Sequence, residues 1–121
     1  NQVGGFDTAL FLYYEESDLC RRIATCLGEK TYHYPDQAYI HYQGKSTEKN
    51  IGVKIEQKLS LLYLTKKHHG RLAHGFLLYF YTIKYLLTSP FSSKKRKLFT
   101  ALLRGGSLNQ SLRCKQVLQE K

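Results

Sequence analysis

The feature that most constrains the fold is the helical spacing of apolar residues after residue 50. One stripe recurs every three or four positions and comprises Ile51, Ile55, Leu59, Leu62 and Tyr63. A second, denser segment, LAHGFLLYFYTIKYLL, covers Leu72–Leu87 and is followed by Ser89 and Pro90. Such spacing is typical of amphipathic helices, and proline ends a helix. The sequence therefore predicts two helices here, with the first ending at Gly70.

The second segment does not have the pattern of a membrane span. It carries His74 and Lys84 and is shorter than the roughly 20 predominantly apolar residues that a span needs. Basic residues flank it and tyrosine is abundant, which is typical of a helix that lies at a membrane surface. A core helix of a small bundle explains the same pattern, so both interpretations stay open.

A third apolar segment, LFTALL, follows the basic run Lys94–Lys97 and ends at Gly105 and Gly106. This pattern predicts a basic amphipathic helix, which suits lipid phosphates. The formal net charge is +10, and the basic excess lies after Lys45, so we expect the chain to bind an anionic membrane surface. No nucleic-acid-binding motif accompanies the charge, so no nucleic-acid partner is expected.

The length and composition suit one modest domain. The chain has 121 residues, no methionine, and asparagine at position 1, so we expect a piece of a longer protein. Its three cysteines lack CxxC spacing, which favours a reduced, cytoplasmic setting. Open strand edges and exposed apolar helix faces in such a piece predict a homodimer or a swapped assembly.

The amino-terminal half predicts a turn, a helix and two strands. Gly4 and Gly5 form the turn, and a helical pattern starts after Tyr14 and ends at Gly28, a natural C-cap. The predicted strands are Lys30–Tyr34 and Ala38–Tyr42. Ser46 or Thr47 is then expected to cap the next helix.

Three acids and one histidine are the candidates for chemistry. Glu15, Glu16 and Asp18 stand in the first helical turn, where a carboxylate can serve as a general base or simply stabilise the helix dipole. His41 stands beside a predicted turn and suits a divalent metal or a structural role. His68 and His69 are expected to be solvated or to face lipid.

The segment VGGFDTALFLYYEESDLCRRIATCLGEKTYHYPDQAYIHYQGKS, residues 3–46, resembles the end of the catalytic domain of family 2 glycosyltransferases. These enzymes have the GT-A fold, and the bacterial rhamnosyltransferase-like members are the most similar. The matching residues, in order, are Gly4, Gly5, Phe6, Asp7, Phe11, Tyr14, Glu15, Asp18, Leu19, Cys20, Arg22, Gly28, Pro35, His41, Gly44 and Ser46.

The resemblance implies a function and roles for these residues. Glu16 falls on the catalytic base, which deprotonates a saccharide or lipid-linked acceptor while a sugar leaves its nucleotide-sugar donor with inversion. Glu15 and Asp18 belong to the same catalytic motif. His41 falls on a ligand of Mg or Mn. The substrate-binding positions are Gly4, Gly5, Phe6, Asp7 and Arg22.

Two departures and one absence qualify these assignments. Glu16 replaces the usual aspartate, so Glu15 could share the role of the base, and Thr8 replaces a common glutamate. The nucleotide-binding strands and the Asp-x-Asp metal motif of the family lie upstream of such a segment, so this chain alone is expected to be inactive. Residues 1–47 then end the catalytic domain, and residues 48–121 form a basic, aromatic helical region.

The predicted architecture is therefore an α/β fragment of a GT-A domain that is itself mostly α-helical, with one or two short strands. The predicted location is the cytoplasmic face of the cell membrane, in polysaccharide or cell-wall assembly. A peripheral lipid-binding helical module without catalysis is the alternative; it explains the basic, aromatic helices but leaves the ordered motif in residues 4–46 to chance.

Overall fold

The computed structural model describes residues 2–32, 35–36, 38 and 50–115, and these residues are mostly helical. Helix α1 covers Glu15–Leu27, α2 covers Ile51–Thr88 and α3 covers Ser93–Leu103. Short 3-10 turns follow at Ser89–Phe91, Leu108–Gln110 and Leu112–Lys115. The prediction of a mostly α-helical chain is confirmed.

The predicted strands are not seen in the described part of the chain. Residues 30–32, which should begin the strand Lys30–Tyr34, have no regular structure and are exposed, Tyr32 to 84%. A strand needs a partner for its backbone hydrogen bonds and a face to bury, and residues 30–32 find neither among the described residues. Of the second predicted strand, only Ala38 lies within the described part, and it is not extended into a sheet.

Helix α1 forms where the sequence predicts it. Three acids lie in its first turn, where they interact favourably with the positive end of the helix dipole. Gly28 ends the helix with φ 69°, a left-handed conformation that glycine adopts without the steric cost of a side chain.

Helix α2 folds back on itself at Gly70, whose φ of 82° and ψ of −177° are not helical. Residues 51–69 form its first arm and residues 71–88 its second arm. The Nδ1 atom of His74 lies 3.0 Å from the carbonyl oxygen of Leu62, and Lys58 Nζ lies 4.6 Å from the ring centre of Tyr81. These contacts require the second arm to run back along the first.

The start of α2 differs from the prediction. Asn50 is the N-cap, and its side chain accepts a hydrogen bond of 2.8 Å from the backbone N–H of Gly52. Ser46 and Thr47, the predicted caps, lie outside the described residues. So does the predicted boundary between residues 47 and 48.

The core lies between the first arm of α2 and α3. Leu59 and Leu62 on the first arm are fully buried. The other buried apolar side chains are Leu10, Val53, Leu98, Ala101 and Leu102. Burying a leucine side chain contributes about 1.5–3 kcal/mol, so this small set stabilises the first arm against α3.

The buried carboxylate of Glu56 ties the carboxyl-terminal segment to α2. Its Oε1 accepts a hydrogen bond of 2.7 Å from the Ser111 hydroxyl, and its Oε2 accepts one of 2.8 Å from the Leu112 backbone N–H. Glu56 is only 1% exposed. The segment after α3 is therefore packed onto the first arm, rather than being the simple polar tail that its composition indicates.

Gly106 occupies a position where a side chain has no room. A Cβ atom there would lie 2.5 Å from Leu62 Cδ1, and the φ of 56° is already unfavourable for other residues. We expect Gly106→Ala to lower the free energy of unfolding by about 2–4 kcal/mol, since overpacking adds to backbone strain. Urea unfolding monitored by circular dichroism measures this.

Gly105 is the matched control for Gly106. Its φ is 84°, but no heavy atom lies within 4 Å of a Cβ built on it. Gly105→Ala should therefore cost only the backbone strain of about 1–2 kcal/mol. Equal losses for the two variants would show that Gly106 does not pack closely against Leu62.

Candidate functional site

Five side chains join α1, α2 and the amino-terminal turn. We call Asp7, Asp18, Arg22, Lys67 and His68 the charged cluster. Asp18 is at its centre and is fully buried. Its Oδ2 accepts from Arg22 Nε at 2.8 Å, while its Oδ1 lies 2.7 Å from Lys67 Nζ and 2.7 Å from His68 Nε2.

Lys67 bridges the two carboxylates of the cluster. Its Nζ lies 2.7 Å from Asp7 Oδ2 as well as 2.7 Å from Asp18 Oδ1. Asp7 also accepts from the Tyr63 hydroxyl at 2.9 Å and from the backbone N–H of Ala9 at 2.9 Å. The amino-terminal turn and α1 are thereby held against the end of the first arm.

The cluster shifts the pKa values of Asp7, Asp18 and Lys67. Burial alone raises the pKa of Asp18, but hydrogen bonds from Lys67, Arg22 and His68 outweigh it and lower the pKa from 3.8 to about 2. Burial is likewise outweighed at Asp7, whose pKa is lowered by Lys67, Ala9 and Tyr63. The pKa of Lys67 is raised, because its two carboxylate partners outweigh its burial. All three groups are therefore charged at neutral pH.

Arg22 connects the cluster to the glycine turn. Its Nη2 donates a hydrogen bond of 2.7 Å to the Gly5 carbonyl, and its Nη1 donates to the Val3 carbonyl. Gly4 has a φ of 72°, which allows the chain to turn beside the guanidinium. The predicted substrate-binding residues Gly4, Gly5, Asp7 and Arg22 are thus brought together, while Phe6 is 58% exposed.

The chain enters α1 through two strained residues. Tyr13 and Tyr14 both have a φ of 70°, a left-handed conformation that costs a non-glycine residue about 1–3 kcal/mol and is concentrated at functional sites. The hydroxyl of Ser60 donates a hydrogen bond of 2.8 Å to the carbonyl of Leu12. This bond holds in place the residue that precedes the two tyrosines. This turn determines where the first carboxylates of α1 lie.

Glu15 and Glu16 lie directly after this strained turn and differ from Asp18. Glu16 is exposed, and among the described residues it forms no ion pair. One oxygen of Glu15, Oε2, is buried and has no hydrogen-bond partner in the described part of the chain. Both carboxylate oxygens of Asp18 are paired with cationic side chains. Glu15 and Glu16 each have a carboxylate oxygen that is able to accept a proton or a hydrogen bond.

An aromatic surface accompanies this end of α1. Burial raises the pKa of Tyr14, and the nearby Tyr81 raises it further. The rings of Tyr81 and Tyr85 are stacked, with centroids 6.1 Å apart, and Lys58 lies over the Tyr81 ring. The strained tyrosine turn therefore faces the second arm of α2.

A metal site does not emerge from the described residues. No group of three or more His, Cys, Asp or Glu side chains converges among them to hold an ion, and the charged cluster is saturated by its own cations. His41, the predicted metal ligand, lies outside the residues that the structure describes.

The cations that contact Asp18 were not predicted from the sequence. His68 was expected to be solvated or to face lipid, and that expectation is wrong, since it contacts the buried carboxylate. His69 is exposed and lies 2.9 Å from Arg21 Nη1. Helical spacing placed His68 on α2, but no local signal indicated that this part of the helix packs against α1.

Within the described residues, no helix has both the length and the apolar character needed to cross a membrane. Comparison of the chain with protein-family models, with curated proteins and with solved structures gives no match.

Proposed function

We propose that the chain is the carboxyl-terminal part of an inverting glycosyltransferase that moves a sugar from a nucleotide-sugar donor to a saccharide or lipid-linked acceptor. The observation that carries this proposal is the arrangement of the acids in the first turn of α1. Asp18 is neutralised inside the protein, whereas Glu16 remains exposed beside a strained turn. That division suits one structural carboxylate and one base.

The charged cluster gives the acids a defined position. Lys67 and His68 fix Asp18, and Arg22 fixes the glycine turn opposite it. Rigid support of this kind is what a general base requires, because catalysis depends on a correct distance to the reacting hydroxyl.

The proposed reaction is a direct displacement. The carboxylate of Glu16 accepts the proton of the acceptor hydroxyl while that oxygen bonds to the anomeric carbon of the donor sugar. The bond from the anomeric carbon to the phosphate oxygen breaks, and its electron pair leaves with the nucleoside diphosphate. Attack opposite the leaving group inverts the configuration at the sugar.

The proposal includes Mg or Mn, which would polarise the leaving diphosphate. The described residues do not fit such an ion, since Asp7 and Asp18 are engaged by Lys67. The resemblance instead assigns the metal to His41 and to an upstream Asp-x-Asp motif. The proton transfer to Glu16 does not involve the metal.

Release of nucleoside diphosphate from a panel of nucleotide sugars tests the proposal. The complete product of the open reading frame is assayed with and without Mn, in the presence of candidate saccharide and lipid-linked acceptors. Metal-dependent release that Glu16→Gln abolishes supports the transferase. No release with any donor from a well-folded protein contradicts it.

A second candidate is a peripheral module at the cytoplasmic face of a membrane, and an exposed apolar face favours it. We call Leu72, Phe76, Tyr79, Phe80, Ile83 and Leu87 the apolar face of the second arm. Leu72 is 91% exposed and Phe76 is 74% exposed. Large exposed apolar patches mark interaction sites, and an anionic bilayer or a second copy of the chain would cover this one.

We expect the double variant Phe76→Ser, Phe80→Ser to bind anionic vesicles at least about tenfold more weakly, because the two rings supply much of the insertable area. Co-sedimentation measures this. Leu103→Ser, which removes an exposed apolar side chain on α3 and leaves the charge unchanged, is the control. Unchanged vesicle binding together with loss of dimer in light scattering would assign the face to self-association instead.

A further inference from the structure

A positively charged groove lies between the first arm of α2, helix α3 and the turn Leu108–Gln110. Its volume is about 330 Å³, within the range of small-ligand sites. The residues that line it are Ile55, Arg96, Lys97, Thr100, Ala101, Arg104 and Gln110. Three of these carry a positive charge and none carries a negative charge.

The positive side chains share one side of α3. Arg96 and Thr100 are four positions apart on α3, and Arg104, four positions further on, is its C-cap residue, whose backbone N–H donates to the Thr100 carbonyl at 3.3 Å. The two arginines are about 12 Å apart along the helix axis at 1.5 Å per residue, a separation that two long side chains can close around one anion.

These cations have no partner of opposite charge in the part of the chain that the structure describes. Its ion pairs all belong to the charged cluster, and none involves Arg96, Lys97 or Arg104. The floor of the groove is already ordered, because Gln110 Nε2 donates a hydrogen bond of 3.1 Å to the Ala101 carbonyl. The three cationic side chains around this groove repel one another, and a bound anion would relieve that repulsion.

The amino-terminal end of α3 adds to the unbalanced charge. The first turn of α3 contains no acid, and its N-cap Ser92 makes no side-chain hydrogen bond to the helix. The basic run Lys94–Lys97 therefore lies at the positive end of the helix dipole, where cations destabilise a helix. An anion bound between these side chains would offset the repulsion among them.

We propose that this groove binds the phosphate or diphosphate group of a phosphorylated ligand, between Arg96 and Arg104. Arginine matches phosphate because its planar guanidinium donates two parallel hydrogen bonds. Ile55 and Ala101 supply an apolar wall for the rest of the ligand. The site is separate from Glu16 and does not depend on sugar transfer.

The test measures binding of inorganic pyrophosphate by calorimetry, and of phosphatidylcholine vesicles with and without phosphatidic acid by co-sedimentation. EDTA is present, because the proposed donor site would bind a diphosphate through a metal. Wild type is compared with Arg96→Gln, Arg104→Gln and with Lys94→Gln, Lys95→Gln. Both double variants lose the same charge, but Lys94 and Lys95 do not line the groove.

We expect the arginine variant to bind at least about tenfold more weakly and the lysine variant to change much less. Weaker binding of pyrophosphate identifies a soluble phosphorylated ligand, and weaker binding of phosphatidic acid vesicles alone identifies a lipid headgroup. If the two variants lost the same affinity, the binding would depend only on overall surface charge, and the proposal would be overturned. So would the absence of binding to either probe at low salt.

Discussion

Asp18→Asn should lower the free energy of unfolding by about 3 kcal/mol at pH 7. The substitution keeps the shape of the side chain but removes the negative charge that faces Arg22, Lys67 and His68. Its amide also places N–H donors against cationic donors. Removing one partner of a buried ion pair leaves the other charges uncompensated, which typically costs about 3–5 kcal/mol. Urea unfolding monitored by circular dichroism measures the loss.

Glu16→Gln is the matched control for Asp18→Asn. It makes the same chemical change two residues earlier in the same helical turn, but at an exposed position. Exposed substitutions of this kind usually change stability by less than about 0.5 kcal/mol. If both variants were equally stable, the charged cluster would contribute nothing to the fold.

The same interactions predict the pH dependence of stability. The pKa of Asp18 is lowered from 3.8 to about 2 in the folded chain, so its contribution is present above pH 4 and is lost as the pH falls from about 4 to about 2. The difference corresponds to about 2–3 kcal/mol. The lowered pKa of Asp7 acts in the same direction. Asp18→Asn should show a smaller loss of stability over this range than the wild type.

In the complete product of the open reading frame, the proposed role of Glu16 predicts that Glu16→Gln reduces turnover by at least about 100-fold while leaving the fold intact. A positioned general base contributes about 10²–10⁴-fold, and glutamine cannot accept the proton of the acceptor hydroxyl. The loss should appear mainly in kcat, because the carboxylate acts on the reacting proton rather than on the bulk of the substrate. Steady-state assay of nucleoside diphosphate release measures it.

Glu15→Gln identifies which acid is the base. Glu15 has a buried oxygen without a partner among the described residues, and Glu16 is exposed. Our assignment expects a clearly smaller loss for Glu15→Gln than for Glu16→Gln. The reverse order would transfer the role to Glu15, and full activity in both variants would contradict a base on this helix.

Local patterns in the sequence were enough to predict most of the helices. Apolar spacing predicted α1, and Gly28 ended it as expected, because both depend only on neighbouring residues. Gly70 was correctly placed at the end of one helix. Its sharp reversal within α2 was not specified, since the geometry of a glycine turn depends on how the two arms pack.

The partners of the candidate acids could not be predicted in the same way. Asp18 and His68 are 50 positions apart, and nothing near either residue indicates the other. Glu56 stands in a helix rich in charge, yet it is buried because Ser111 and Leu112 satisfy its oxygens. Such pairs follow from tertiary packing, whereas helical periodicity reports only which face of one helix is apolar.

The reversal at Gly70 also bears on the order in which the chain folds. The two arms meet through pairs close in sequence, such as Leu62 and His74, whereas Asp7 reaches Lys67 across 60 positions. Closing a short loop costs less entropy than closing a long one, and local contacts form faster. The hairpin should therefore fold first, and Lys67 and His68 would then be in place before Asp18 of α1 contacts them. The acids of α1 would then reach their final positions only in a late step of folding, when α1 docks.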